Sequence, residues 1–510
     1  MPHMSLHARA QEQFDPAPSL QSASKPKLAA AAAAPASATC VGIAVPSDGD
    51  VPKSLGLDRN ALNAASFTGK LGQTLIVPRT QGATLIAVGT GPRDELDIAR
   101  LRDAAAAFAR AADAHEQLAF EVDGLGTASI KETAQAVMEG AVLARYRYLL
   151  RHTAATPKAL RALTLITKNT AEAEQGIKQA GIVVRATELA RDLAGAPGGL
   201  LTARRLADIA KSIGPECGLQ VEIFDENALF DLGCGGMLGV NAGSVEPPRM
   251  IKLTYKPAGK STGNVAIIAK GIMFDAGGLG LKPNNEVHAT MKGDMSGAAA
   301  VLGAMSALQS LGCTTTVTGY LMCTDNMPSA TALKLSDVIT IRGGTTVEVI
   351  NPDAEGRLVM ADGLVLATEQ NPRPDAIVDI ATLTGACQRA LGVLCAGVMG
   401  NNPRLVEQLE GAAERTDERI WEFPLVRNYR KELDSEIADL KNVGGENAGQ
   451  ITAGLFLEEF VDGIPWAHID IAGTARVDSD QTWRPKGPTG FGTRLLMDFL
   501  MRFKPTPAVH

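Results

Sequence analysis

Between residues 39 and 170, short apolar runs alternate with segments whose apolar positions recur every three to four residues. The runs "CVGIAV" (40–45), "QTLIVP" (73–78), "TLIAVG" (84–89), "LAFEVD" (118–123) and "ALTLIT" (162–167) predict buried strands. The segments "IARLRDAAAAFARAADA" (98–114) and "IKETAQAVMEGAVLARYRYLL" (130–150) predict helices. A long helical pattern at 171–195 stops at "APGG" and reads as a connecting helix. From 196 to 510 the alternation resumes in a larger unit. Its strand candidates are "VEIFD", "RMIKLTYKP", "NVAIIAKG", "TTVTGYLMCT", "TTVEVI", "DAIVDIAT" and "AHIDIAG". Helical patterns such as "MSGAAAVLGAMSALQSLG" and "GRLVMADGLVLATEQ" separate them. The expectation is two α/β domains, the C-terminal one built on a mostly parallel, helix-covered sheet.

Residues 1–38 break this pattern. They are rich in Ala, Pro, Ser and Gln and end in "KLAAAAAAPASA", which predicts a disordered tail. An amphipathic arm docked on a partner subunit is the alternative.

Composition narrows the function classes. The chain has 510 residues, 45% of them apolar and 21% charged, with a net charge of −7. That balance argues against a chain that works on nucleic acid or anionic lipid. No apolar run is long enough to span a membrane, and the N-terminus lacks the basic-then-apolar order of a secretory signal. The seven cysteines are scattered with no CxxC pair, which predicts reduced thiols in a cytoplasmic protein. Histidine is equally scarce, with seven in all and no HExxH arrangement, so a metal here must be held mainly by oxygen.

The charged residues that look misplaced fall where strands end. "NVAIIAKGIMFDAGG" runs into Lys270 and Asp275, and "TTVEVI" runs into Asp353, Glu355 and Arg357. Asp294 precedes a small-residue helix. In an open α/β sheet, ligands bind beyond the carboxyl ends of the strands, so these groups can share one cleft. Four carboxylates together repel, so either their pKa values rise or cations neutralise them, and two divalent ions are the economical solution. A lysine ligand must be neutral, which burial beside cations favours. Taken singly, each residue has a structural reading. Asp353 would cap a helix with Glu355 in its first turn, favoured by the helix dipole, Gly277-Gly278 would be a turn, and Lys270 would snorkel at a strand end.

At these residues the sequence resembles the leucyl aminopeptidase family of dimetal exopeptidases. "NPDAEGRL" is similar to NTDAEGRL, "KGIMFDAGGLGLKP" to KGITFDSGGxxxKP, and "MKGDMSGAAAV" to MKxDMGGAAAV. "DNMPSA", "ATLTGAC", "DLKN", "ITAGLFLEEFV" and "WAHIDIAG" also look like family segments. The resemblance is strong over 175–503. Ala276, Pro352, Ser296 and Gly363 depart from the usual residues without removing a ligand. His288, in "PNNEVHAT", reads as a loop residue rather than a ligand.

The resemblance implies two divalent ions per subunit, Zn or Mn, with Mg or Co as further options. Lys270, Asp275 and Asp294 would bind the looser ion, Asp275 and Glu355 would bridge the pair, and Asp353 would bind the tighter one. Lys282 would reach the scissile carbonyl oxygen, and Arg357 would hold a bicarbonate ion as general base. Met291, Thr382, Gly385, Ala472 and Ala475 match positions lining the pocket for the N-terminal side chain, suited to Leu, Met and similar residues. The implied reaction is release of N-terminal amino acids from peptides with a free N-terminus, by attack of a water bridging the two ions. A homohexamer, a dimer of trimers, is implied as well. Two other classes stay open on the residues alone: a dimetal hydrolase of another bond, and a non-catalytic structural or nucleic-acid-binding paralogue.

Overall fold

The computed structural model describes residues 13–21, 25–122, 129–150 and 158–507. The chain divides into two units. One comprises Pro18–Glu188 with Val477–Gly487, and the other Leu189–Arg476 and Pro488–His510 with the first seventeen residues.

The N-terminal unit holds a six-stranded sheet of β1 (Lys27–Ala31), β2 (Cys40–Val45), β3 (Thr74–Val77), β4 (Thr84–Gly89), β5 (Gln117–Glu121) and β6 (Ala162–Ile166). The order is β1-β6-β5-β2-β4-β3, parallel throughout except for the β3–β4 hairpin edge. The helices Ile98–Ala111 and Ile130–Arg145 begin where local chemistry dictates. Asp97 accepts from the Arg100 N–H, and Ser129 forms a capping box with Glu132.

Here the expected tail is corrected. Lys27–Ala31, inside the segment read as disordered, is the edge strand β1, paired in parallel with β6. Alanine-rich composition misled because these residues gain ladder hydrogen bonds from β6, a partner more than 130 residues away. Residues 1–12 and 22–24 lie outside the described residues. A second correction concerns the far end of the chain. Val477–Gly487 packs with the N-terminal unit, although the pattern after residue 196 reads as one continuous domain. Its Trp483 is fully buried in the N-terminal core.

The larger unit is built on β7 (Leu219–Phe224), β8 (Arg249–Tyr255), β9 (Asn264–Asp275) and β10 (Thr316–Asn326), then β11 (Val338–Thr340) and β12 (Thr346–Glu348). These are followed by β13 (Ala376–Ala381), β14 (Ala396–Gly400), β15 (Ile420–Glu422), β16 (Leu440–Lys441) and β17 (Trp466–Asp470). The eight-stranded sheet has the order β15-β14-β17-β13-β9-β10-β8-β7. Its central strands β17, β13, β9 and β10 are all parallel. The helix Ser296–Leu311 packs on β9, β10 and β13, and the helix Gly356–Thr368 packs against β9, β10 and β13 as well. Val265, Ile267 and Ala269 alternate with Ala266, Ile268 and Lys270, and all are buried, as a sheet covered on both faces requires.

"TTVEVI" does not join the large sheet. Its residues Thr346–Glu348 form β12 in a three-stranded sheet with β11 and β16. β9 runs four residues further than its apolar run suggests, through Asp275.

Candidate active site

The four central strands end at one edge, and each end delivers a polar residue: Asp275 on β9, Asn326 on β10, Thr382 after β13 and Asp470 on β17. A register shift sets the geometry. Ile272 pairs with Thr324, yet Asp275 pairs with Asn326, so β9 carries one extra residue between them. Side chains alternate along a regular strand, so Lys270 and Asp275, five residues apart, would face opposite sides of the sheet if β9 continued without this bulge.

Lys270 is buried, and its ammonium lies 2.9 Å from Asp294 Oδ2 and 2.9 Å from Glu355 Oε1. It donates to the Thr382 carbonyl at 2.8 Å. Gly356 makes room for it, since a Cβ there would sit 2.8 Å from the Lys270 Nζ, Cε and Cδ atoms. Lys282 lies past a turn in which Gly277 has φ +90°. Its ammonium is 2.8 Å from Asp275 Oδ2 and 2.5 Å from Asp353 Oδ1. A side chain at Gly277 would meet the Gly280 carbonyl at 2.5 Å, so glycine is needed there on both counts.

The helix-cap reading of "PDAEG" does not hold. Gly356–Thr368 has Glu355 at its N-cap with no side-chain capping bond. Both carboxylates turn toward lysines instead. His288 sits in the short helix Glu286–Ala289, its ring 5.9 Å from that of Phe274 and apart from the carboxylate cluster.

Crowding governs the electrostatics. Burial, helped by Asp275, pushes Glu355 up to about 8, and burial pushes Asp294 up to about 6. Asp353 is also raised, chiefly by burial. Burial alone would lower Lys270, but Asp294, Glu355 and Asp275 outweigh it and hold the ammonium well above the usual lysine range. Lys282 is raised in the same way, with Asp275 the principal counter-charge to burial. With no metal ion bound, the two ammonium groups are the cluster's cations, and a metal ion held by Lys270 would have to displace its proton.

This donor set fits divalent ions. Asp275, Asp353 and Glu355 place ligand oxygens within 4.8 Å of one another. Asp294 Oδ2 and Asp353 Oδ1 are buried atoms within ion-pair range of a lysine, yet they accept no aligned hydrogen bond. One amine and four carboxylates are the ligand chemistry of an oxygen-rich site for Mg, Mn or Zn. Arg357 is buried, and burial lowers it to about 10. Its Nη1 donates to the Asn442 carbonyl at 2.8 Å, while its buried Nε has no hydrogen-bond partner among the described residues. A small oxyanion suits that unused donor.

A cavity of about 480 Å³ opens over the cluster. Of the residues singled out from the sequence, Lys270, Asp275, Lys282, Asp294, Asp353 and Arg357 line it, as do Met291, Thr382, Gly385, Ala472 and Ala475. Glu355 lies beneath it, almost fully buried. Thr382 is more than pocket wall, because its hydroxyl donates to Asp294 Oδ1 at 2.5 Å.

Sequence reasoning missed Asn326. Its amide donates to Asp275 Oδ1 at 2.9 Å and to the Pro352 carbonyl at 3.1 Å, with Glu355 Oε2 at 3.4 Å. It also missed Asn442, which accepts from Ile350 and Asn351 N–H and donates to the Asn351 carbonyl at 2.7 Å, fixing the acidic joint. An uncharged amide carries no local signal, and only its place in "DNMPSA" and "DLKN" could have pointed to it.

Residues 188–497 match the cytosol aminopeptidase family, catalytic domain, and residues 53–153 match that family's N-terminal domain. The chain is 38% identical over 471 residues to a probable cytosol aminopeptidase of Alkaliphilus metalliredigens, covering 89% of this chain and 94% of that one. It is 46% identical over 334 residues to a probable cytosol aminopeptidase of Chlorobium phaeobacteroides, covering 65% and 66%. Among solved structures it is similar to the bottromycin maturation enzyme BotP in complex with Mn, with a TM-score of 0.83 and 37% identity over 91% of this chain and 99% of that one. It is also similar to a mutant of tomato leucine aminopeptidase, with a TM-score of 0.84 and 30% identity over 94% and 97%.

Proposed function

The chain belongs to the cytosol aminopeptidase family and is a metal-dependent aminopeptidase, and on that premise we propose how its residues divide the work. The observation that carries the proposal is the convergence of Lys270, Asp275, Asp294, Asp353 and Glu355 at one sheet edge, with Lys282 and Arg357 on the same cavity. Asp275 and Glu355 would be shared by the two ions. Lys270 and Asp294 would complete the ligands of the looser ion, and Asp353 those of the tighter. Manganese or zinc is the proposed occupant, and the Mn bound by BotP supports the former. When bound, the ions supply Lewis-acid polarisation of the scissile carbonyl, a more acidic water, and a docking point for a neutral α-amino group.

The chain's own groups do the rest. Lys282 keeps its proton and donates to the oxygen on which charge develops. Arg357 would hold bicarbonate through its buried Nε, which has no hydrogen-bond partner among the described residues, and that anion would supply a proton acceptor. Met291, Thr382, Gly385, Ala472 and Ala475 shape a pocket for Leu, Met and similar N-terminal side chains. Peptides with a free N-terminus are the substrates, and the enzyme works in cytoplasmic peptide catabolism as a homohexamer, a dimer of trimers.

The test is hydrolysis of a panel of aminoacyl amides with N-acetylated controls, across Mn, Zn, Co and Mg. Turnover should need both a divalent ion and a free amine. Undiminished cleavage of an N-acetylated peptide would sink the exopeptidase assignment.

A further inference from the structure

We propose that Asp470 is a positioning residue, a single buried carboxylate that ties the pocket wall to the Lys270–Asp294 half of the metal site. The inference rests on the aminopeptidase reading above and adds a residue to it. Asp470 closes β17 and pairs in register with Ala381, the last residue of β13. It is fully buried.

Its oxygens collect donors from the segment that leaves β13. Oδ1 accepts from the N–H of Leu383 at 3.1 Å, of Thr384 at 3.4 Å and of Ala472 at 3.1 Å. Oδ2 accepts from the Thr384 hydroxyl at 2.7 Å. That hydroxyl in turn accepts from the Cys387 N–H at 3.1 Å and so caps the helix Gly385–Leu391. A carboxylate bound by four donors holds such a segment in one conformation.

Thr382, the residue just before, transmits the constraint. Its carbonyl accepts from Lys270 Nζ at 2.8 Å, and its hydroxyl donates to Asp294 Oδ1 at 2.5 Å. A shift at Leu383 therefore reaches both groups of the looser cation position. The same carboxylate fixes Ala472 directly and Gly385 through the capped helix, and both line the cavity. Asp470 is not hydrogen-bonded to either Lys270 or Asp294, and its influence on them runs through Thr382. Outer-shell partners of this kind tune affinity without binding the ion. An asparagine at this position keeps one oxygen for the backbone donors but turns an amide N–H toward the Thr384 hydroxyl, which then loses its acceptor.

The full-length chain, stripped by chelation, is titrated calorimetrically with Mn²⁺, and its thermal unfolding is followed without metal. The wild type is compared with Asp470→Asn and Thr384→Val. The expected result is that both variants weaken one Mn²⁺ site by about 10–100-fold and spare the other, with a raised KM for leucine amide. Wild-type isotherms in both variants overturn the proposal. So does equal weakening of both sites in step with lost thermal stability, which marks a residue that only holds the fold. If Asp470→Asn fails to fold, the Thr384→Val isotherm decides alone by the same criterion. A wild type that takes up no Mn²⁺ overturns the metal reading itself, and this proposal with it.

Discussion

Asn326 Nδ2 donates to Asp275 Oδ1 at 2.9 Å, across the strand pair in which the two residues stand in register. The same amide reaches Glu355 Oε2 and the Pro352 carbonyl, so one neutral donor occupies an oxygen of each carboxylate proposed to stand between the cations. Their remaining oxygens are left for lysine or metal. Asn326→Asp replaces that donor with a further negative charge. It should weaken metal binding and turnover by about 10–100-fold, and lower the melting temperature of the loaded protein more than that of the metal-free one, because weaker binding forfeits part of the stabilisation the metal gives. Unchanged kcat at saturating metal would show that the amide is incidental.

Gly356 is the residue over which Lys270 passes. Gly356→Ala places a methyl 2.8 Å from the end of that side chain. The overpacking should cost about 1–3 kcal/mol at most, because the atoms it meets belong to a flexible chain end. The larger loss should fall on metal binding at the Lys270 position. Denaturant unfolding and elemental analysis, run together, separate the two effects.

The two lysines should answer differently to removal. Lys270→Ala should lose one metal equivalent, partly restored by excess metal. Lys282→Ala should keep both metals and lose turnover by roughly 10²–10³ if it acts as one oxyanion donor. Elemental analysis with kcat at saturating metal reads both. If the pattern is reversed, so are the roles.

His468 and Asp379, both fully buried, make a pH-dependent contribution to stability. Burial alone would lower the imidazole, but Asp379 at 2.5 Å, with Asp470 nearby, raises it above the ordinary histidine value. A group raised on folding stabilises fully below its unfolded pKa of about 6.5 and loses that contribution as pH rises through its folded value. Denaturant midpoints should therefore fall as pH rises from about 6, and His468→Gln should flatten the slope. An unaltered slope in the variant would assign the pH dependence to other groups.

The strand β1 sets a limit on truncation. A chain starting at Thr39 loses β1, one of the two parallel partners of β6, whereas one starting at Lys25 keeps it. The shorter chain should melt at a lower temperature in its N-terminal unit. Equal melting curves would show that β1 adds no stability.

By itself, the sequence determined the element inventory and the chemistry available to it. Period-two and period-3.6 patterns are local, and strands such as Cys40–Val45, Thr84–Gly89 and Ala376–Ala381 follow from runs that must be buried. Carboxylates and lysines at strand ends stand out because burying them is costly, so Lys270, Asp275, Asp353 and Glu355 were legible as a group. What tertiary structure decided was everything set by pairing between distant segments. It placed Lys27–Ala31 in a sheet, sent Thr346–Glu348 to a side sheet and returned Val477–Gly487 to the N-terminal unit. It recruited Asn326 and Asp470, whose importance comes from what lies opposite them. The single extra residue in β9 that turns Asp275 to the side of Lys270 has no signature in composition or periodicity. Register is a relation between two strands, and the face a side chain takes is fixed only when both are in place.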